Sequence, residues 1–155
     1  NSYSRQNIRL INAIGFDPNN ENRKKKYLKF KKLGFKFLAL IHPSVKISNS
    51  VTIGEGSQIL SQSCILPNAK IGNNCIINTK ASVDHDSIIE DNVNLSPNVT
   101  ICGNVIVKRE TYIGASATIL NNVIVGKNCH IFPGSIVNKN IKNNFNYTNG
   151  RIFKS

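Results

Sequence analysis

The sequence predicts a left-handed parallel β-helix of about five coils, preceded by the remnant of an α/β domain. Three observations carry this. From Ile41 to Val137 an aliphatic residue returns at every sixth position, seventeen times without a break. Two residues before each of the last sixteen anchors stands a small or β-branched residue, from Val45, Val51 and Ser57 to Cys129 and Ser135. Three residues after the anchor stands Asn at 68, 74, 92, 98, 104, 122 and 128, and Gly at 56 and 134. A period of six fits neither an α-helix nor a heptad coil, and it is the hexapeptide signature of a parallel β-helix.

The side-chain alternation of a strand explains the two columns. Residues i and i−2 share a face, so anchors and small residues both point inward. The large column fills the axis of the prism and the small one leaves room near each corner. Asn and Gly tolerate the left-handed backbone region that a sharp corner needs. Three hexads complete a triangular coil, and coils stack about 4.8 Å apart, the ordinary strand spacing. A β-sandwich would need many unrelated strands to share one unbroken period.

Ahead of the repeats the pattern changes. IRLINAIG (8–15) reads as a buried strand. Residues 19–34 read as a basic helix, capped by Asn19 or Asn20 and stopped by Gly34, with Tyr27, Phe30 and Leu33 packing inward. FKFLALI (35–41) reads as a strand leading into the coils. This β-α-β order reads 1–40 as the C-terminal part of an α/β domain. Residues 41–141 form the β-helix, and the polar, Asn-rich 142–155 is a tail that leaves it as a loop or short strand.

Composition narrows the function classes. The 155 residues carry a net charge of +12. Eight of the basic residues fall between Arg23 and Lys36, and helical spacing makes this run a solvated face rather than a nucleic-acid site. It still raises the local positive potential for an anionic substrate. Of the four cysteines, Cys75 and Cys129 occupy the inward small column, and no CxxC pair exists. Reduced thiols and a cytoplasmic protein follow as expectations. No segment has the pattern of a membrane span.

Three histidines remain for chemistry. His42, His85 and His130 stand one, two and five residues after an anchor, so they occupy different columns and do not converge on a metal. His85 is distinct, because it lies at a corner in DHDSII (84–89) with a carboxylate on either side. Asp84 or Asp86 can orient the imidazole and support its positive charge, which is the arrangement of a general base. Cys64 and Cys102 have no histidine partner in the register and are not nucleophile candidates.

The segment NTKASVDHDSIIEDNVNLSPNVTICGNV (78–105), with the entry IHPSV (41–45), resembles the hexapeptide-repeat sugar acyltransferases of the sialic acid O-acetyltransferase and bacillosamine-pathway N-acetyltransferase group. The resemblance covers roughly 8–141. It implies that His85 is the general base, that Asp86 orients it, and that the Gly103 N–H holds the thioester carbonyl of acetyl-CoA. It implies that Gly114, Ala115, Ala117 and Leu120 line the pantetheine arm, and that Asn78 and Asp84 lie on the substrate side. It also implies homotrimers with acetyl-CoA between two β-helices. It further implies that 1–40 belongs to a sugar-nucleotide-binding domain and that Asn94 lies on the cofactor side; Asn94 stands nine residues after His85, where some relatives have a second histidine, and it can hydrogen-bond but is no base at neutral pH. The tail NYTNGRIFKS lacks the Gly-x-Pro-Ala ending of the family, leaving C-terminal contacts to CoA unassigned.

The resulting expectation is acetyl transfer, without a covalent enzyme intermediate, to the amino group of a nucleotide-activated amino sugar in surface-glycan synthesis. The alternative within the class is a hydroxyl of sialic acid or a related sugar. A non-catalytic β-helix such as an ice binder would show one uniform outward column. Here the outward residues are mixed: Lys46, Thr52, Gln58, Cys64, Lys70, Ile76. A metal-dependent hydratase is disfavoured by the histidine spacing.

Overall fold

A computed structural model describes residues 7–17, 21–148 and 150–154. From Leu40 to Val137 the chain winds as a left-handed β-helix whose strands are two residues long and whose hexads fall in the expected register. The three faces carry six, five and eight strands, about six turns rather than five. Every neighbouring pair on the first two faces is parallel and offset by 18 residues, as in Cys64–Ser82–Thr100 and Ile88–Ile106.

The core is a single column. From Ile59 to Val137 every anchor is buried, and so is every small-column residue from Ser57 to Ser135. Burying a side chain of Ile or Val size contributes about 1.5–3 kcal/mol, so one hexad out of register would cost most of a domain's net stability. The column opens at its start, where Ile41 and Ile47 remain about two-fifths exposed because no coil precedes them.

Hydroxyls in the small column are used as internal brackets. Ser87 Oγ donates to the Cys102 carbonyl at 2.8 Å and accepts from the Val105 N–H one coil on. Thr111 does the same between Gly126 and Cys129. Ser135 has no next complete coil, and its Oγ is the one buried side-chain polar atom without a partner among the described residues.

All corners from Gly56 to Gly134 adopt φ between about 52° and 72° three residues after the anchor. The position, more than the residue, dictates this. Gln62, Lys80, Glu110 and Ser116 adopt the same backbone as the asparagines. A non-glycine, non-Asx residue there is strained locally and persists because the coils above and below over-determine it.

The N-terminal piece is a parallel β-α-β unit: β1 (Arg9–Leu10), α1 (Asn22–Lys32) and β2 (Lys36–Phe37), with Arg9 opposite Lys36. Several expectations need correction here. The 8–15 strand is two residues long and not buried, because β1 pairs on one side only; Ile11 is half exposed. The proposed caps Asn19 and Asn20 lie outside the described residues, and Glu21 at the N-cap makes no side-chain cap bond. Residues 35–41 divide, since Leu40–Ile41 already belongs to the prism. Tyr27 is buried against Phe37, but Leu33 is exposed, because Gly34 (φ 86°) turns the chain before Leu33 reaches the core.

The residue that docks α1 on the prism is Arg23, buried at 6 % exposure. Its guanidinium donates to the carbonyls of Asn12 and Ile14 on its own unit and of Gly56, Asn74 and Cys75 on the prism. Burial pushes this group down to about 10, yet five carbonyls compensate the charge. Lys24–Glu110 and Lys31–Glu55 ion pairs lay the helix along the same edge. Ile76, an outward position of the coil, is buried on the face that this unit covers, and so is Asn94. The tail is a hairpin of Phe145–Thr148 and Arg151–Lys154 that extends the eight-stranded face. Among the described residues no helix is long and apolar enough to cross a membrane.

Candidate active site

His85 sits where the chain leaves the strand Ser82–Val83 and turns toward Ile88–Ile89, the vertex between the six- and five-stranded faces. His85 lies beyond the end of that strand, at the corner itself, so its side chain points out of the prism, and it is 54 % exposed. The ambiguity between the two aspartates resolves cleanly. Asp84 Oδ1 accepts the His85 backbone N–H at 2.7 Å, while Asp86 Oδ2 meets the ring at Nδ1 at 2.8 Å. The left-handed backbone of Asp86 (φ 59°) folds its carboxylate back beside the preceding imidazole.

The electrostatics follow. The hydrogen bond from Asp86 raises the His85 pKa above its ordinary value, with Asp84 adding to the effect. His85, then Asn68, holds the Asp86 carboxyl below its ordinary value. A carboxylate at Nδ1 places the ring proton there and leaves the Nε2 lone pair facing out.

Gly103 completes the vertex, one coil further on. A Cβ placed on it would lie 2.7 Å from both Cε1 and Nε2 of His85, so only glycine lets the ring stand here. The Gly103 carbonyl accepts from Asn122, while its N–H makes no backbone hydrogen bond among the described residues. An uncommitted backbone donor and the Nε2 edge of the imidazole therefore stand next to each other at this vertex.

The other sequence-derived residues are distributed differently. Gly114 packs against the Pro133 backbone, where a Cβ would come within 2.5 Å, so its glycine serves coil stacking. Ala117 points into the core, and its backbone N–H and carbonyl bond Gly114 and Thr100. Ala115 is half-buried, and Leu120 is exposed near Asn121 and Asn122 on the His85 edge. Asn78 lies at the vertex after the eight-stranded face, where its side chain accepts the Thr79 N–H. Asn94 lies on that face, in a small cleft with Phe16, Asn74, Asn92 and Glu110. Neither stands at the His85 vertex of its own chain.

His42 bonds Ser44, and His130 stacks on Phe132 and meets Tyr112 edge to face. No group of three His, Cys, Asp or Glu side chains gathers among the described residues. All four cysteines are free; burial raises the thiol pKa of Cys75, Cys102 and Cys129, which makes them poor nucleophiles. The sequence reading missed Asn68, which donates to Asp86 Oδ1 at 3.1 Å, and Arg23.

Comparison with known proteins agrees with this geometry. A family model described as bacterial transferase hexapeptide (six repeats) matches residues 50–85, 68–103 and 86–121. The acetyltransferase domain of PglB from Neisseria gonorrhoeae superposes with a TM-score of 0.86 at 29% identity, over 94% of this chain and 70% of that one. PerB from Caulobacter crescentus, solved with CoA and GDP-perosamine, gives 0.82 at 30% identity over 94% and 70%. WeeI from Acinetobacter baumannii gives 0.82 at 30% over 88% and 68%. A prism of hexads with a solvent-facing histidine at one vertex defines a class, the hexapeptide acyltransferases. Within it, this chain belongs to the hexapeptide-repeat sugar acyltransferase family.

Proposed function

We propose that the chain transfers an acetyl group from acetyl-CoA to the amino group of a nucleotide-activated amino sugar. The observation that carries this is the His85–Asp86 pair, exposed at a vertex with Gly103 and its uncommitted N–H packed beside the ring. His85 Nε2 takes a proton from the acceptor nitrogen as that nitrogen attacks the thioester carbonyl. Gly103 donates to the carbonyl oxygen as negative charge develops on it. Asp86 holds the ring and stabilises its charged form. The C–S bond then breaks and the His85 imidazolium returns its proton to the departing sulfur, giving the acetamido sugar, the CoA thiol and the neutral ring. Every bond change is accounted for by acceptor, thioester and imidazole, so no enzyme-bound acyl group is needed.

The likeness to PerB, solved with CoA and GDP-perosamine, favours an amine over a sialic acid hydroxyl. The same reading assigns Gly114, Ala115, Ala117 and Leu120 to the pantetheine arm and Asp84 to the acceptor. Asn78 and Asn94 lie on other faces of the prism, so they meet His85 only if a second copy supplies them. A homotrimer with sites between protomers is thus part of the proposal, as are a cytoplasmic location, supported by four free thiols, and a role in surface-glycan synthesis. So is the division into 1–40, 41–141 and 142–155.

The test is thiol release from acetyl-CoA with a panel of nucleotide-linked amino sugars and sialic acid. One activated amino sugar should be consumed, and His85→Ala should lower kcat by at least about 10²-fold with unchanged melting. Equal rates without the imidazole would refute the assignment of the base.

A further inference from the structure

The geometry points to Asn68 as a positioning residue: its carboxamide clamps Asp86 so that Asp86 presents one oxygen to His85. The inference rests on the proposed acyl transfer for its kinetic consequence, though not for its structural content. Asn68 and Asp86 occupy the same vertex one coil apart, both with left-handed backbones (φ 63° and 59°). Asn68 Nδ2 reaches Asp86 Oδ1 at 3.1 Å, and the other oxygen of the same carboxylate reaches His85 Nδ1 at 2.8 Å. Asn68 is itself fixed from the coil below, where its backbone N–H donates to Ser50 Oγ at 2.9 Å.

The clamp matters because the pair is in water. Asp86 is 53 % exposed, and an exposed carboxylate held by one hydrogen bond rotates freely about its terminal torsion, which is broad and roughly two-fold. Partners on both oxygens select one rotation. Asn and Asp are also the side chains that tolerate this backbone region best, so a donor and an acceptor can stack here without strain. Elsewhere on this edge Asn104 bonds Asn122, a neutral pair. At 86 the ladder carries a charge, and the Asn beneath it is oriented as donor.

The groups facing His85 are few. Its own turn supplies the carboxylates Asp84 and Asp86. The coil above supplies Gly103, with Asn121 one coil beyond it, and the coil below supplies Pro67 and Asn68, all uncharged. A change in the His85 titration on altering Asn68 therefore passes through Asp86.

The experiment uses Asn68→Gly, which deletes the amide while keeping a residue at ease with positive φ. Gln62→Gly, at the same corner position on another edge, controls for backbone effects. In Asn68→Gly the His85 ring, followed by NMR of histidine-labelled protein, should titrate at lower pH than in the parent chain. The kcat should fall about tenfold, with KM for both substrates unchanged and the acid limb of the rate profile moved to lower pH. Asn68→Asp, which cannot donate and repels Asp86, should lose rate similarly. A His85 titration unmoved in Asn68→Gly, or equal rate loss in Gln62→Gly, overturns the clamp. Should the parent chain transfer no acetyl group to any acceptor, the proposed function fails, while the NMR titration still decides this inference.

Discussion

Replacing Gly103 by alanine should separate catalysis from stability. The added Cβ would sit 2.7 Å from Cε1 and Nε2 of His85, whereas ordinary contact begins near 3.4 Å. The difference, about 0.7 Å, is the least the ring must move. His85 is an exposed side chain and can swing away at little cost to folding. Gly103 has no positive φ, so alanine fits its backbone, and the loss of chain entropy in the unfolded state would add about 0.5 kcal/mol of stability. The catalytic cost is different. A misplacement near 1 Å costs about 10²-fold in rate, so kcat should fall roughly 10- to 100-fold, or about 1.4–2.7 kcal/mol of barrier. Thiol release from acetyl-CoA gives the rate, and differential scanning fluorimetry should find the melting temperature unchanged or slightly raised. Wild-type kcat in a folded Gly103→Ala chain would refute the claim that the ring works where it now stands. A large loss of melting temperature would refute the claim that only the site is crowded.

Two further outcomes follow from the same coordinates. Because Asp86 raises the His85 pKa and the base works only when neutral, the acid limb of kcat/KM should lie above 6.5; Asp86→Asn should move it down and lower kcat about 10²-fold, read from pH profiles of both proteins. Ser87→Ala should destabilise by about 1–3 kcal/mol, because the Cys102 carbonyl and Val105 N–H lose their partner. Ser135→Ala removes a hydroxyl that bonds nothing and should be neutral or stabilising in the same denaturant titration.

The prism was legible because its core is one-dimensional. A residue at position n in one coil stacks on n+18 in the next, so a single column of letters from Ile41 onward encodes sheet register, burial and corner geometry together. Lys80 and Glu110 show the limit of reading residue type. Nothing in a Lys or Glu announces a left-handed corner, but their place three after an anchor does. His85 was visible for the same reason. The identity of its partner was not, because the choice between Asp84 and Asp86 depends on backbone torsion rather than spacing. Asn68 left a signal that went unread, namely its offset of 18 from Asp86. Arg23 stood in a basic run read as solvated, though it precedes the buried Tyr27 by four residues and shares its helix face. Residues 8–15 misled because apolar composition alone does not supply a packing partner.

The guanidinium of Arg23 has a consequence for anyone who treats this protein as interchangeable modules. It is a rivet through the seam between the leading β-α-β segment and the solenoid, with two of its carbonyl partners on one side and three on the other. Cutting between residues 40 and 41 to graft a foreign front end would strip the Gly56 and Asn74 carbonyls of their donor, leave the Cys75 carbonyl with the Gln58 N–H alone, and give the severed piece a cation with nowhere to go. A foreign front end can be fitted to this solenoid only if both halves of that rivet travel together.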